Sequence, residues 1–517
     1  MEHWSGDRLK TRAIGSEPRL RPLALSVLVL TVAAVVLRAG QFGNPLAGFD
    51  EQYYLLVGSR MWNGALPYVD LWDRKPVGLF LLFAALQAVP GDGVLAAQFG
   101  ATAFAVATSV LLVLFSRRAT GWTTATLAGI FYLVLLGQMW GDTTQSPVFY
   151  NALVAAAALL TVRAAADPFG KRGRHRAVLA MLLAGVAIQI KTVALLEGAW
   201  FGIWLVSAAW QRSQGDVRRT ARLAALLAVV GASPTLAAIA GYAVLGHGDA
   251  WWQANLLSVL AKPRPADPAS MRDLHETLEM LIPVAALGGL GLWHRTAHFR
   301  TWRAGTIFLL GWIVVAAIDF VAVGGYYPHH ALPLLLACCP LVAHAARVRP
   351  VGIPVMTMFL LSPTVEATVS MPNVAARERA IAERVTAALP TDVRSRCLLV
   401  YRGPVAYYQL SDACLVTRYP FTAHLSSRRE APALGVDPVS ELQAAFARRP
   451  GTVLTLTGEP IEDRNPAVHA ELLRQLRAHY RLVRVLPHRA GADAERLLMW
   501  RRLDLLPRRR RQLPMVR

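Results

Sequence analysis

The chain has 517 residues, 54% of them hydrophobic and 17% charged, against roughly 45–50% and about 25% in soluble domains. Apolar blocks of about 17–25 residues recur, each the length of a bilayer crossing, which excludes a single soluble domain. The formal net charge of +21 would fit a nucleic-acid partner, but the basic residues fall mainly in short loops between alternate apolar blocks and in the C-terminal region, so no nucleic-acid partner is expected.

Met1–Arg21 is polar and basic and reads as a cytoplasmic tail. The apolar run Pro22–Leu37 follows without a convincing small-x-small cleavage site, so it reads as a retained first span. Further blocks lie near 94–115, 121–138, 146–165, 177–190, 193–210, 223–246, 278–293, 304–323, 329–346 and 351–370. The sequence therefore predicts an all-α polytopic membrane domain of about eleven transmembrane helices over 22–371.

One more block, Val77–Val89, is short, and charge decides its place. The Lys/Arg-rich connections are the N-terminus, Arg117–Arg118, 171–176, 212–222, 295–303 and 347–349, and they hold 20 of the 54 basic residues. Short basic loops stay on the cytoplasmic side. All six can do so only if 39–93 is one outer loop, with Val77–Val89 an interfacial or re-entrant helix covered by protein.

From about 372 the pattern changes. Strand-like runs at Cys397–Tyr401, Cys414–Thr417, Thr452–Thr457, Arg481–Leu486 and Arg496–Trp500 alternate with helical patterns at 374–389, 438–448 and 466–479. This predicts a small extracytoplasmic α/β domain over 372–505, ending in a basic tail (506–517) whose Arg508–Arg511 run suits water or lipid headgroups. Cys338 and Cys339 lie in an apolar span as packing residues; Cys397 and Cys414 are placed where a disulfide is possible.

The first outer loop reads GFDEQYYLLVGSRMWNGALPYVDLWDRKP over 48–76. Asp50 and Glu51 stand side by side, and Asp73, Arg74 and Lys75 end the segment. Ionised groups against a membrane are costly unless paired, and Lys75 is one of only five lysines. A carboxylate here can take the proton of a hydroxyl nucleophile. Arg74 or Lys75 can neutralise a leaving phosphate, Arg through bidentate contacts and Lys as a point charge.

This segment resembles the first outer loop of the C-type (GT-C) membrane glycosyltransferases, in particular the protein mannosyltransferase and lipid A aminoarabinose transferase superfamily (bacterial family 39-like). Those proteins carry an acidic pair after span one and a DxKPP or DKPP element closing the loop. Asp50–Glu51 match the first, and Asp73, Lys75 and Pro76 the second; the family's second proline is Val77 here. GVAIQIKTVALLEGAW (185–200), GGYYPHHALPLLLACCP (324–340) and VYRGPVAYYQLSDACLVTRYPF (400–421) are similar to three later family elements in the same order.

The resemblance implies transfer of a sugar from a polyprenyl-phosphate carrier to a hydroxyl of an envelope glycan, lipid or protein, on the outer face of the cytoplasmic membrane, with inversion. It implies Asp50 as general base, with Glu51 the alternative or its orienting partner, and Asp73 holding Lys75 or meeting the acceptor. No cofactor or essential metal is expected, because the basic groups can supply the charge. Lys191, at an outer turn, reads either as a snorkelling lysine or as a phosphate or sugar contact. Tyr327, His329 and His330 read as phosphate or sugar contacts or as a polar helix start. Asp142 reads chiefly as a cap of the next helix, Trp251, Trp252, Lys262 and Arg264 as a wall for the lipid carrier, and Asp319 as an intramembrane acid without an assigned role. A lipid-sugar flippase and a non-catalytic envelope-assembly protein are the rival readings. The first lacks the inverted repeats it should show.

Overall fold

The computed structural model describes residues 20–263, 268–298, 303–457, 463–489 and 495–506. The N-terminal tail up to residue 19, Arg264 and the basic tail from 507, with Arg508–Arg511, lie outside the described residues.

Helix α1 (Leu20–Arg38) shows how the bundle is built. Its buried residues are Ser26, Leu30, Ala34 and Arg38, one every four positions, so a single stripe faces the neighbouring helices. Leu25, Leu28, Val32 and Val36 are exposed, as expected where lipid rather than water is the surrounding medium. Two short helices of the outer loop follow, α2 (Phe49–Met61) and α3 (Val77–Leu86), and then α4 (Gly93–Thr120), α5 (Trp122–Leu136), α6 (Ser146–Ala164), α7 (Lys171–Ile188), α8 (Ala194–Arg212) and α9 (Val217–Val244). Helix α6 is the central one, packed against α4, α7 and α8. Small residues such as Ala155, Ala157 and Ala158 let its neighbours come close. The amide nitrogen of its buried Asn151 donates to the Tyr132 hydroxyl at 3.2 Å and to the Leu332 carbonyl at 3.2 Å, which ties α6 to α5 and to the chain at Leu332.

After two short helices, α10 (Gly248–Trp252) and α11 (Ser258–Ala261), the bundle is completed by α12 (Pro268–His298), α13 (Arg303–Val323), α14 (Leu332–Ala345) and α15 (Gly352–Val365). Each of the eleven expected blocks is helical, and eight helices among the described residues are long and apolar enough to cross a membrane. The others are α7, which opens on the basic run Lys171–Arg176, α8, and α14, whose first turn is replaced by a 3-10 turn at Pro328–Ala331. The chain is a multi-pass membrane protein.

Helix α3 has 10 residues, about 15 Å of helix, too short for the roughly 30 Å hydrocarbon layer. Its start is tied to the α7–α8 turn by Leu79 N–H donating to the Gln189 carbonyl at 3.0 Å. Its far end meets the C-terminal region, where Gln409 donates to Gln87 at 3.1 Å. The short block therefore lies along the 39–93 loop and does not cross the bundle.

Helix α15 runs on through a π turn into α16 (Met371–Ala388), making one helical run over Gly352–Ala388. At 1.5 Å per residue this run is about 55 Å long, well beyond a bilayer core. The sequence boundary at 371/372 therefore falls inside a helix that continues from the bundle into the C-terminal region.

That region contains α17 (Val393–Arg396), α18 (Ala406–Leu410), α19 (Pro438–Ala447), α20 (Pro466–His479) and a four-stranded sheet. The strands are β1 (Leu398–Val400), β2 (Thr452–Leu456), β3 (Tyr480–Pro487) and β4 (Arg496–Arg502), in the order β1-β2-β4-β3, with β1 and β2 parallel and the other pairings antiparallel. Leu399, Val453, Leu442, Phe446, Leu472 and Leu476 form its core with α19 and α20. The expected strand at Cys414–Thr417 is a correction: it makes one isolated bridge, Leu398 to Leu415. Cys414 is disulfide-bonded to Cys397, and Arg418 just beyond gives its carbonyl to Trp72, so the segment is drawn off the sheet towards the 39–93 loop.

Candidate active site

Helix α2 positions the acidic pair. Gly48 precedes it with φ 58°, and a Cβ there would fall 1.8 Å from the Glu51 carboxylate, so only glycine lets Glu51 fold back over the helix start. Asp50 and Glu51 both lie in the first turn, where the positive end of the helix dipole favours carboxylates. Adjacent helical residues point about 100° apart, and the two acids meet different surroundings.

Asp50 faces the end of the loop. Its Oδ1 lies 3.5 Å from Lys75 Nζ, and Asp73 Oδ2 lies 3.1 Å from the same nitrogen. Asp73 is buried, while the Asp50 and Lys75 side chains stay 27% and 24% exposed, open to a reactant. Tyr68 donates to the Lys75 carbonyl at 2.8 Å and fixes the backbone there. The Lys75 ammonium also lies over the rings of Tyr54 and Phe421, at 5.1 and 5.8 Å. Burial alone would push the Asp50 carboxyl up, but the Lys75 ammonium, and after it Lys191, hold it below the ordinary carboxylate range. Burial likewise opposes the Lys75 charge, and Asp50 and Asp73 outweigh it.

Glu51 turns inward. It is 3% exposed and accepts a hydrogen bond from Thr143 Oγ1 at 2.7 Å. Burial first, and the neighbouring Asp50 charge second, push its carboxyl up to about 8. The surroundings separate the pair into an accessible acid favoured in its ionised form and an enclosed one favoured in its protonated form. Thr143 is held in turn by Arg38, the last residue of α1, which donates to the Gly141 carbonyl at 2.5 Å and to the Thr143 carbonyl. Asp142 is not a helix cap: its Oδ2 accepts from Gln41 at 2.8 Å, and α6 starts without a side-chain cap.

The C-terminal region covers the loop. Trp72 N–H donates to the Arg418 carbonyl at 2.8 Å, the Trp72 ring meets His424 at 4.9 Å, and Tyr53 meets Phe421 at 5.4 Å. Arg74 forms an ion pair with Glu430, whose Oε1 also lies 3.0 Å from Lys262 Nζ. Burial would raise the Glu430 carboxyl, but Lys262 and Arg74 hold it far below the ordinary range. The Arg74 charge, expected to face a phosphate, is thus taken up by a carboxylate from 356 residues away in sequence.

Lys191 sits in the turn between α7 and α8, within electrostatic reach of Asp50, Lys75 and Asp319; burial lowers it to about 8. His329 occupies the turn ahead of α14. Burial, then Lys191, lowers it to about 3, and burial with the neighbouring His329 lowers His330 well below the ordinary imidazole value, so both rings are neutral near pH 7. They can offer hydrogen bonds but not the positive charge a phosphate contact would use. Tyr327 is 39% exposed beside them. Trp251 is buried and Trp252 exposed, stacked at 5.4 Å. Among the described residues no group of three His, Cys, Asp or Glu comes together to hold a metal ion. The sequence reading missed Glu430, Thr143, Arg38 and Trp140; none lies in a recognisable pattern, and each reaches the site only through the fold.

No protein-family model and no curated protein matches the sequence. Solved structures do match. The chain superposes on the crystal structure of ArnT from Cupriavidus metallidurans bound to undecaprenyl phosphate with a TM-score of 0.64 at 14% identity, covering 93% of this chain and 98% of that one. The same protein in the apo state gives 0.62 at 14% identity, with 92% and 98% covered. An archaeal oligosaccharyltransferase, AglB from Archaeoglobus fulgidus, gives 0.47 at 11% identity, over 84% of this chain and 69% of that one. The fold is that of the GT-C membrane glycosyltransferases. More particularly, this chain shares with ArnT one architecture over nearly the whole length of both proteins.

Proposed function

We propose that the protein is a glycosyltransferase that moves a sugar from a polyprenyl-phosphate donor to an acceptor hydroxyl at the outer face of the cytoplasmic membrane. The observation that carries this reading is the accessible Asp50 carboxylate, held ionised 3.5 Å from the Lys75 ammonium at the mouth of the bundle. The acceptor oxygen attacks the anomeric carbon and its proton passes to Asp50. The bond from that carbon to the phosphate oxygen breaks, and its electron pair leaves on the phosphate, next to Lys75. Attack opposite the leaving group inverts the anomeric centre. Asp73 keeps Lys75 in place, and Lys75 with Lys191 supplies the positive charge, so a chelator such as EDTA leaves the rate unchanged.

A lipid-linked donor fits because nucleotide sugars are confined to the cytoplasm, and because the fold is shared with a protein whose structure was solved with undecaprenyl phosphate. The Cys397–Cys414 disulfide fits an oxidising compartment for the C-terminal domain. The basic loops on the opposite side fit the same orientation. An envelope glycan, a lipid or a protein hydroxyl can serve as acceptor.

A deletion strain tests this. Polyprenyl-phosphate sugars that accumulate in its membranes are identified by mass spectrometry. Complementation with the wild-type chain should clear them, whereas Asp50→Asn, inserted at the same level, should not. Clearance by the D50N chain would refute the assignment of the base. A strain that accumulates no lipid-linked sugar, with no transfer to lose, would remove the enzyme reading in favour of an assembly protein.

A further inference from the structure

Three aromatic rings at the mouth of the bundle have no part in the proton and phosphate chemistry. Trp140 lies 5.8 Å from Tyr327 and 5.8 Å from His329, each with planes 30° apart; Tyr327 and His329 are 5.9 Å apart and nearly parallel, at 7°. His329 is buried, but Trp140 and Tyr327 keep 41% and 39% of their surface exposed. From these residues we infer a sugar-binding platform: Trp140, with Tyr327 and His329 beside it, takes the apolar face of the donor's sugar ring.

The backbone supports this. Trp140 has φ 59° and Tyr326, just before Tyr327, has φ 51°. Bulky residues adopt the left-handed region only where the surroundings impose it. For Trp140 the constraint is visible: Arg38, 4% exposed, grips the Gly141 and Thr143 carbonyls next to it. The indole gains little burial in return. An anchor in lipid would need only a Trp at a helix end, whereas here a π turn and a left-handed residue carry the ring towards Tyr327 and His329.

Location and charge narrow the ligand. His329 lies within the electrostatic reach of Asp50, and Tyr327 within that of Asp273, Asp463, Asp50 and Glu430, so the rings lie near the acid rather than on a remote face. His329 is uncharged there, so the platform offers π faces and no cation. The carrier phosphate is better served by Lys75. The polarised C–H groups on one face of a sugar ring suit a π surface, whose face carries negative charge.

The inference rests on the glycosyltransferase reading, and its test separates the two. Full-length protein in lipid nanodiscs is titrated with decaprenyl phosphate and with decaprenyl-phosphate mannose, glucose and arabinose. The wild type should bind at least one sugar-bearing carrier more tightly than the bare one. Trp140→Ala should shrink that margin about tenfold with the bare-carrier affinity unchanged, which also shows that the variant is folded. Trp140→Phe should keep most of the margin. Three results would overturn the platform: an undiminished margin in W140A, an equal loss for bare and sugar-bearing carriers, or no margin in the wild type for any of the three sugars. Lys75→Ala should weaken all four ligands; if it weakens none, the donor reading fails, whatever Trp140 does.

Discussion

Two segments build the site, and they differ in kind. The loop 48–76 carries the acids and the lysine that do the chemistry in the proposed reaction, at the two ends of one short piece of chain. The segment 417–437 of the C-terminal region places a carboxylate, Glu430, between two cations, and sets Phe421 and His424 against the loop's aromatic side chains. The loop concentrates unlike charges where a reactant can reach them. The cover neutralises what is left over and packs against the loop's aromatic side chains. A site at a membrane surface gains from both, because charges partly withdrawn from water act more strongly than in bulk solvent.

This contrast can be broken by mutation. The largest effect falls on the loop: Asp50→Asn should lower the transfer rate by roughly 10²–10⁴-fold, the span of general-base contributions. Lys75→Ala comes next, at about 10²–10³-fold, as removal of one electrostatic stabiliser of the leaving group. Both are read as initial rates of sugar transfer from the donor identified in the deletion strain, with protein levels matched. If Lys75→Ala costs less than the cover variant below, the division between the two segments is wrong.

Glu430→Ala sharpens the comparison from the other side. It strips the partner from Arg74 and from Lys262, whose side chains are 18% and 43% exposed. Breaking a fully buried pair costs about 3–5 kcal/mol; with Lys262 this exposed, a loss of roughly 1–3 kcal/mol is expected. The apparent unfolding midpoint in detergent should fall by several degrees, and the rate at saturating donor should change less than for Lys75→Ala. An unshifted midpoint would mean that the ion pair does not hold the cover.

The same contrast explains what the sequence made legible. Asp50, Glu51, Asp73 and Lys75 could be singled out because they lie within 26 residues of one another in an acidic and basic pattern unusual beside a span. The bundle was legible because each block has its own length and hydropathy, and α3 could be kept out of the span series because loop charge alternates. Glu430 and Trp140 were not legible. Glu430 reaches Arg74 across 356 positions, and its own surroundings, Ser427–Pro432, look like any polar loop. Trp140 at a helix end reads as an ordinary interfacial residue until its backbone is seen. The partner of Arg74 was hidden for the same reason, since Glu430 lies in another part of the chain. The strand at Cys414–Thr417 had suitable residues, but the disulfide and the link to Trp72 outweighed local propensity.

The smallest effect concerns the neighbour of the proposed base. Glu51 has a folded-state pKa of about 8, above the usual 4.5. Between those values the folded protein keeps a proton that the unfolded chain has released, so stability falls as pH rises through this window and levels off above about 8. Glu51→Gln removes the titration and keeps an uncharged group for Thr143 Oγ1 to meet. Its unfolding midpoint should therefore vary less than the wild type's between pH 5.5 and 8.5, and its rate at pH 7 should stay within a few-fold. Lys191 also titrates near 8, and the rate profile tells the two apart. If an alkaline loss of rate disappears in the Glu51→Gln protein, ionisation of the enclosed acid beside Asp50 is its cause. If the loss persists, it belongs to Lys191 giving up its charge, and Glu51 serves only to hold the start of α2 against Thr143. A D50N-sized loss for Glu51→Gln at pH 7 would reverse the roles assigned to the two acids.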